Sequence, residues 1–289
     1  MNSKNTILYF ALGEYYVNQA VLSLVSLLLV YGRGRPGFNI IVLTDMPEQF
    51  DWLKARLPLD ARLLTRDQIP ELSRPHGFLL RAKIAVIAQI HDETCGNLLF
   101  IDTDTILRGR LENIFRRMSN GECFLHKREW PLYRGRKLHP ELCPSDLDFT
   151  LASGTRIQID GETQMWNSGV VGIPDSRGDL LRDALDLCDQ YYKIYPGWHV
   201  EQFSLSIILQ QTGRLLGCRQ KIFHYWHSKE LAAFFIKKVV PYDTSKTISN
   251  FEVEKFVLEA RIRFYVHRLR VVTRKNIIFY KIYDCIKRK

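Results

Sequence analysis

The sequence predicts an α/β domain with a mostly parallel central sheet flanked by helices. Three observations predict it. Short, apolar, β-rich runs recur as TILYFAL (Thr6–Leu12), NIIVLT (Asn39–Thr44) and NLLFI (Asn97–Ile101). Longer runs with helical character lie between them, at Tyr16–Tyr31 and Leu79–Ile90. Each strand run stops at a breaker or an acidic residue: Gly13, Asp45 and Asp102. Strands alternating with helices at this spacing form βαβ units. Ligands of such sheets bind beyond the carboxyl ends of the strands.

The elements follow in order. Gly13 breaks the first strand, and turn-rich GRGRPG closes the helix after it. Leu63 and Leu64 mark a third strand. The stretch 130–164 is polar and holds Pro131, Pro140 and Pro144, so it reads as loops near an acceptor site. Met165–Ile173 returns to strand. Leu180–Tyr192 and His199–Gln211 read as helices, and Lys221–Trp226 as a final short strand. From Glu252 to Lys289 the pattern is helical, basic and aromatic. The expected organisation is a catalytic domain over 1–250 and a basic amphipathic extension over 251–289.

The 289 residues are 46% hydrophobic, enough for one substantial core. The formal net charge is +10, and the extension alone, with eleven basic and four acidic residues, supplies most of it. Such a segment suits an anionic membrane surface, a contact with its own domain, or a homo-oligomer interface. No zinc-finger spacing and no RNA-binding signature occurs, so nucleic acid is not the expected partner. The six cysteines form no C-x-x-C pair and read as reduced thiols of a cytoplasmic protein, peripheral at a membrane's inner face if the extension binds there. The start MNSKNTILYF has no clean signal-peptide pattern. The apolar run Ala20–Val30 is short against the roughly 20 residues of a membrane span, and reads as a buried helix.

The sharpest chemical feature is LLFIDTDTIL, an apolar strand that delivers Asp102 and Asp104 around Thr103. Alternate residues of an extended segment point the same way. Two hard oxygen ligands so placed suit Mg²⁺ or Mn²⁺. The bland alternative is a strand-end turn in which the aspartates bind backbone amides. In FHYWHSK, His224 offers a nitrogen that would favour Mn²⁺, and Lys229 a point charge for a diphosphate. Arg81 and Lys83 precede the Asp-x-Asp strand. Trp166-Asn167-Ser168-Gly169 offers an aromatic face, an amide and a hydroxyl to a sugar. Glu201-Gln202 opens a helix.

Taken together and in this order, these residues resemble the GT-A glycosyltransferases, and most of all glycosyltransferase family 8, the group with glycogenin-like and galactosyltransferase-like enzymes. The resemblance runs from about Thr6 to Lys229. It implies a GT-A fold whose opening strand, turn and helix hold the nucleotide base, here through Leu12, Gly13 and Tyr16. It implies donor contacts at Lys83, Asp102, Thr103, Asp104, Asn167, Ser168 and Lys229, and Arg81, on the same helix as Lys83, is a further candidate to pair with phosphate or a site carboxylate. It implies a divalent metal, Mn²⁺ or Mg²⁺, held by Asp102, Asp104 and His224. Glu201 and Gln202 match the family's catalytic Asp-Gln helix start, with glutamate replacing aspartate. The family continues His-x-x-Gly-x-x-Lys, whereas this chain has His227 at the glycine and a lysine one residue early.

The implied reaction moves a hexose-type sugar from a UDP-sugar to a glycan, lipid-linked or other hydroxyl acceptor, with retention of configuration. Two other classes share parts of this pattern. A nucleotidyltransferase making nucleotide sugars would use the same sheet and metal, but ALGEYY lacks its glycine-rich phosphate loop. A non-enzymatic anion- or membrane-binding protein would explain the extension and leave the Asp-x-Asp strand unexplained.

Overall fold

The computed structural model describes residues 4–32, 34–134 and 147–226. It divides into two units, Met1–His224 and Tyr225–Lys289, and all but two of the second unit's residues lie outside the described set. The expected boundary at 250, the basic extension and Lys229 lie there too.

Within the first unit the chain forms β1 (Asn5–Ala11), helix α1 (Glu14–Tyr31), β2 (Asn39–Thr44) and β3 (Leu59–Leu63). Helix α2 (Arg81–Thr94), β4 (Asn97–Ile101), β5 (Thr105–Leu107), helix α3 (Glu112–Met118) and β6 (Cys123–Pro131) follow. Then come β7 (Leu147–Thr150), β8 (Arg156–Ile159), β9 (Gln164–Ile173), helices α4 (Asp179–Ile194) and α5 (Val200–Gln210), β10 (Leu215–Gly217) and β11 (Ile222–His224). Seven strands build the main sheet, in the order β10-β6-β9-β4-β1-β2-β3. Only β9 runs against its neighbours; β4-β1-β2-β3 pair in parallel, as do β10 and β6. The α/β architecture with a mostly parallel sheet flanked by helices is as the sequence predicts.

Residues on both faces of the central strands are buried, which is why β1, β2 and β4 read as continuous apolar runs. Helix α1 is apolar almost all round because it is enclosed by the domain. By length and composition it could cross a membrane, yet 67% of it is buried here. Its serines are tied to the strands. Tyr9 and Ser23 hydroxyls meet at 3.0 Å, Ser23 meets Thr105 at 2.9 Å, and the Leu107 N–H donates to Ser26 Oγ at 2.8 Å.

Several expectations are corrected. The stretch 130–164 is not all loop: β6 runs to Pro131, and β7 and β8 form a hairpin turned at Gly154. Phe149, Ile157 and Ile159 are buried from it, an alternation masked by the polar residues between them. The Lys221–Trp226 strand shrinks to β11, which pairs antiparallel with β5 in a sheet of its own. Helix α2 starts two residues late, because Leu79 and Leu80 form an exposed turn ahead of it. Among the described cysteines Cys95, Cys123, Cys188 and Cys218 are free thiols. Burial pushes Cys123 up to about 11 and Cys218 to about 12, so neither is a reactive thiolate.

Removing the Ser26 hydroxyl leaves the buried Leu107 N–H without its acceptor. Ser26→Ala is expected to destabilise by about 1–3 kcal/mol. Urea unfolding measures it; an unchanged midpoint would mean that this amide finds another partner.

Candidate active site

The site gathers where β4 and β9 part. Their antiparallel ladder ends at Ile101 and Val170, and the Asp102 N–H then donates to the Gly169 carbonyl at 2.9 Å. On its other edge β9 bulges against β6: Leu125 pairs with Val171, but Lys127 pairs with Asn167. Ser168, Gly169 and Val170 thus stand opposite His126 alone. Bulges of this kind re-aim side chains beside functional sites. Here the bulge carries the Asn-Ser-Gly run singled out in the sequence.

Beyond β4 the chain turns through Asp102-Thr103-Asp104 into β5. Thr103 faces inward, its hydroxyl donating to Gln19 Oε1 of α1 at 3.0 Å. The Thr105 hydroxyl donates back to the Asp102 carbonyl at 2.8 Å. β11, paired with β5, brings in His224, whose Nε2 lies 2.9 Å from Asp104 Oδ1 and 3.9 Å from Asp102 Oδ2. The three offer donor atoms within 4.8 Å of one another. Gly169 is required at this approach: a Cβ there would stand 2.2 Å from His224 Nδ1.

The donor set fits a divalent cation. His224 Nδ1 lies 2.8 Å from Asn167 Oδ1, an oxygen that also receives the Gly169 N–H at 3.1 Å. A neutral imidazole has one N–H. Donated to Asn167, it leaves the Nε2 lone pair facing two carboxylates, and a cation between them is the electrostatic complement. An octahedral ion with bonds of roughly 2.1 Å needs neighbouring ligands about 3 Å apart, as Nε2 and Asp104 Oδ1 are. The hydrogen bond on the far nitrogen is the usual support for a metal-bound histidine.

Lys83, from α2, is the buried cation of the site. Its Nζ lies 3.1 Å from Asp102 Oδ1 and 3.2 Å from Glu201 Oε1, donates to the Ser168 carbonyl at 2.8 Å, and sits over the Phe100 ring. Burial opposes its charge, but Asp102 and Glu201 outweigh that and its pKa is raised. Glu201 is buried at the start of α5. Burial pushes its pKa up, Lys83 opposes this, and Asp102 adds to it. Oε2 accepts from the Ser168 hydroxyl at 3.3 Å; Oε1 faces Lys83 as an ion pair without hydrogen-bond alignment. Gln202 donates from Nε2 to Glu129 Oε2 at 3.2 Å and approaches the Ser168 N–H at 3.5 Å.

Asp102, Asp104, His224, Lys83, Asn167, Ser168, Glu201 and Gln202 therefore form one connected cluster. Other sequence-selected residues stand apart from its contacts. Gly13, with φ +79°, opens α1 and donates its N–H to Asp45 Oδ1 at 2.8 Å, so the ends of β1 and β2 meet as expected. Leu12 is half-buried there, and Tyr16 is about half exposed one turn on. Arg81 is engaged otherwise: its guanidinium grips both Asp189 oxygens, at 2.5 and 2.7 Å, and the Leu72 carbonyl. Residues two apart on a helix point to different sides, so Lys83 and Arg81 do not share a target. His126 and Glu129 were not legible in the sequence. Both lie on β6, whose pairing with the bulge no local pattern reveals.

No protein-family model and no curated protein matches the chain. Among solved structures it is similar to apo mouse xyloside xylosyltransferase 1, at 12% identity over 74% of this chain and 85% of that one, TM-score 0.49. It is similar to the bifunctional glycosyltransferase WbbM at 11% identity and TM-score 0.48, covering 75% of this chain but only 39% of that one. It is similar to the galactosyltransferase LgtC in complex with donor and acceptor sugar analogs, at 12% identity over 74% of this chain and 73% of that one, TM-score 0.44.

Removing Lys83 would leave the buried Glu201 and the half-buried Asp102 without their cation. Lys83→Met is expected to destabilise by about 3–5 kcal/mol at neutral pH. Adding Glu201→Gln should restore a large part of the loss. Denaturant unfolding of the single and double variants checks this; a double variant no more stable than the single one would refute the coupling.

Proposed function

We propose that the chain is a metal-dependent glycosyltransferase of the GT-A type, akin to family 8, that transfers a hexose-type sugar from a UDP-sugar. The observation that carries the reading is the Asp102, Asp104 and His224 donor set at the carboxyl end of a mostly parallel sheet, with Lys83 beside it. Asp102, Asp104 and His224 would hold Mn²⁺ or Mg²⁺. The bound cation would act as a Lewis acid on the diphosphate leaving group.

The remaining roles fall to the chain's own groups. Lys83 holds Asp102 in place and adds positive potential beside the diphosphate. Ser168 and Asn167 sit at the bulge where the donor sugar would lie. Gln202, fixed by Glu129, presents an amide to that sugar. Glu201, turned toward Lys83, acts on the sugar's developing positive charge through space. Leu12, Gly13 and Tyr16, with Thr103 supporting α1, form the base-binding end. Trp198 is 67% exposed just ahead of Glu201 and offers a stacking face to a glycan or lipid-linked acceptor. Arg81, held by Asp189, carries no role in this reading, and Lys229 would add a point charge beside the diphosphate. The basic extension, in the same reading, approaches an anionic membrane from the cytoplasmic side.

Thermal unfolding with a panel of nucleotide sugars, with and without Mn²⁺, tests the donor. One UDP-sugar should raise the melting temperature, need Mn²⁺, and lose its effect in Asp104→Ala. Absence of any shift across the panel would count against the reading. For the stereochemistry, NMR of the first-formed product should show the donor's anomeric configuration; an inverted product would require a general base facing the acceptor instead.

A further inference from the structure

His126 lies on β6, is 5% exposed, and has no part in the roles above. Its Nε2 lies 3.0 Å from the Ile222 carbonyl oxygen. A carbonyl only accepts, so Nε2–H donates and Nδ1 carries the lone pair. Nδ1 is buried, and the ring lies beside the Asn167 side chain. The ring meets His224 edge-on, with centroids 5.5 Å apart and planes at 86°.

These contacts converge on one ligand. Ile222 is two residues ahead of His224 on β11, and β11 pairs with β5 rather than with the main sheet. The His126–Ile222 bond is therefore a side-chain tie from the main sheet to the strand that delivers His224. Asn167, which faces His224 Nδ1, stands across the bulge from the same ring.

We propose that His126 is a positioning residue for His224, holding the imidazole and its Asn167 partner so that Nε2 faces Asp102 and Asp104. The inference rests on the metal reading above. A ring of the right shape but without an N–H should fill the space and fail to fix the ligand.

The test is Mn²⁺ binding to the full chain, read from the electron paramagnetic resonance signal of the free ion. Wild type, His126→Phe, His126→Gln and Asp104→Ala are compared, with circular dichroism to confirm folding. His126→Phe is expected to bind Mn²⁺ on the order of 10–100-fold more weakly. His126→Gln, whose amide can donate to Ile222, should recover part of that loss. A folded His126→Phe that binds as tightly as wild type overturns the proposal and leaves the metal site standing. If His126→Phe does not fold, His126→Met is held to the same criterion. A wild-type chain that binds no Mn²⁺, or an Asp104→Ala chain that binds it equally well, overturns the metal reading and this inference with it.

Discussion

Three carboxylates belong to one cluster, Asp104 and Glu201 buried and Asp102 half-buried, and the fold has to supply positive charge to them. Like charges at such distances in a poorly solvated setting repel strongly. Lys83 answers part of this by lying between Asp102 and Glu201. The other part, between Asp102 and Asp104, is faced by the His224 nitrogen. The excess of negative charge on that side is the physical reason to expect a cation there. Paired buried charges do not stabilise a fold by themselves, so the arrangement is better understood as a site than as a structural staple.

The elements around the cluster serve this requirement. α2 delivers Lys83 while Arg81, two residues earlier, clamps α2 to α4 through Asp189. α5 presents Glu201 and Gln202 from its first turn. The β9 bulge turns Asn167 and Ser168 toward α2 and His224, and the bare Cα of Gly169 admits the imidazole. Each contribution comes from a different part of the chain, and only the sheet order brings them to one place.

That division explains what the sequence disclosed. The parallel strands and their helices were legible because apolar runs and helical periodicity are local signals. Asp102, Asp104, His224 and Lys83 were legible as residue types suited to one chemistry, and the resemblance to known enzymes placed them in order. The β7–β8 hairpin was missed because only Phe149, Ile157 and Ile159 mark its inner face. Arg81 was read with Lys83 because their adjacency in sequence hides the angular separation of helical neighbours. His126 and Glu129 were invisible, since one bonds a backbone oxygen 96 residues away and the other an amide 73 residues away. Long-range partners leave no trace in local pattern.

The Asp-x-Asp segment shows why the middle residue matters as much as the acids. A strand end that carried two carboxylates and nothing else would let them separate by rotating its last peptides. Thr103 prevents this by bonding to Gln19 in the buried helix α1, and Thr105 by closing a turn on Asp102. The hydroxyl chain Tyr9–Ser23–Thr105 extends the same restraint into the sheet. The backbone that carries the aspartates is thus held by the hydroxyls on either side of Asp104. The carboxylates face Lys83 and His224 while the backbone beneath them is held, which is the preorganisation that a metal or diphosphate site requires.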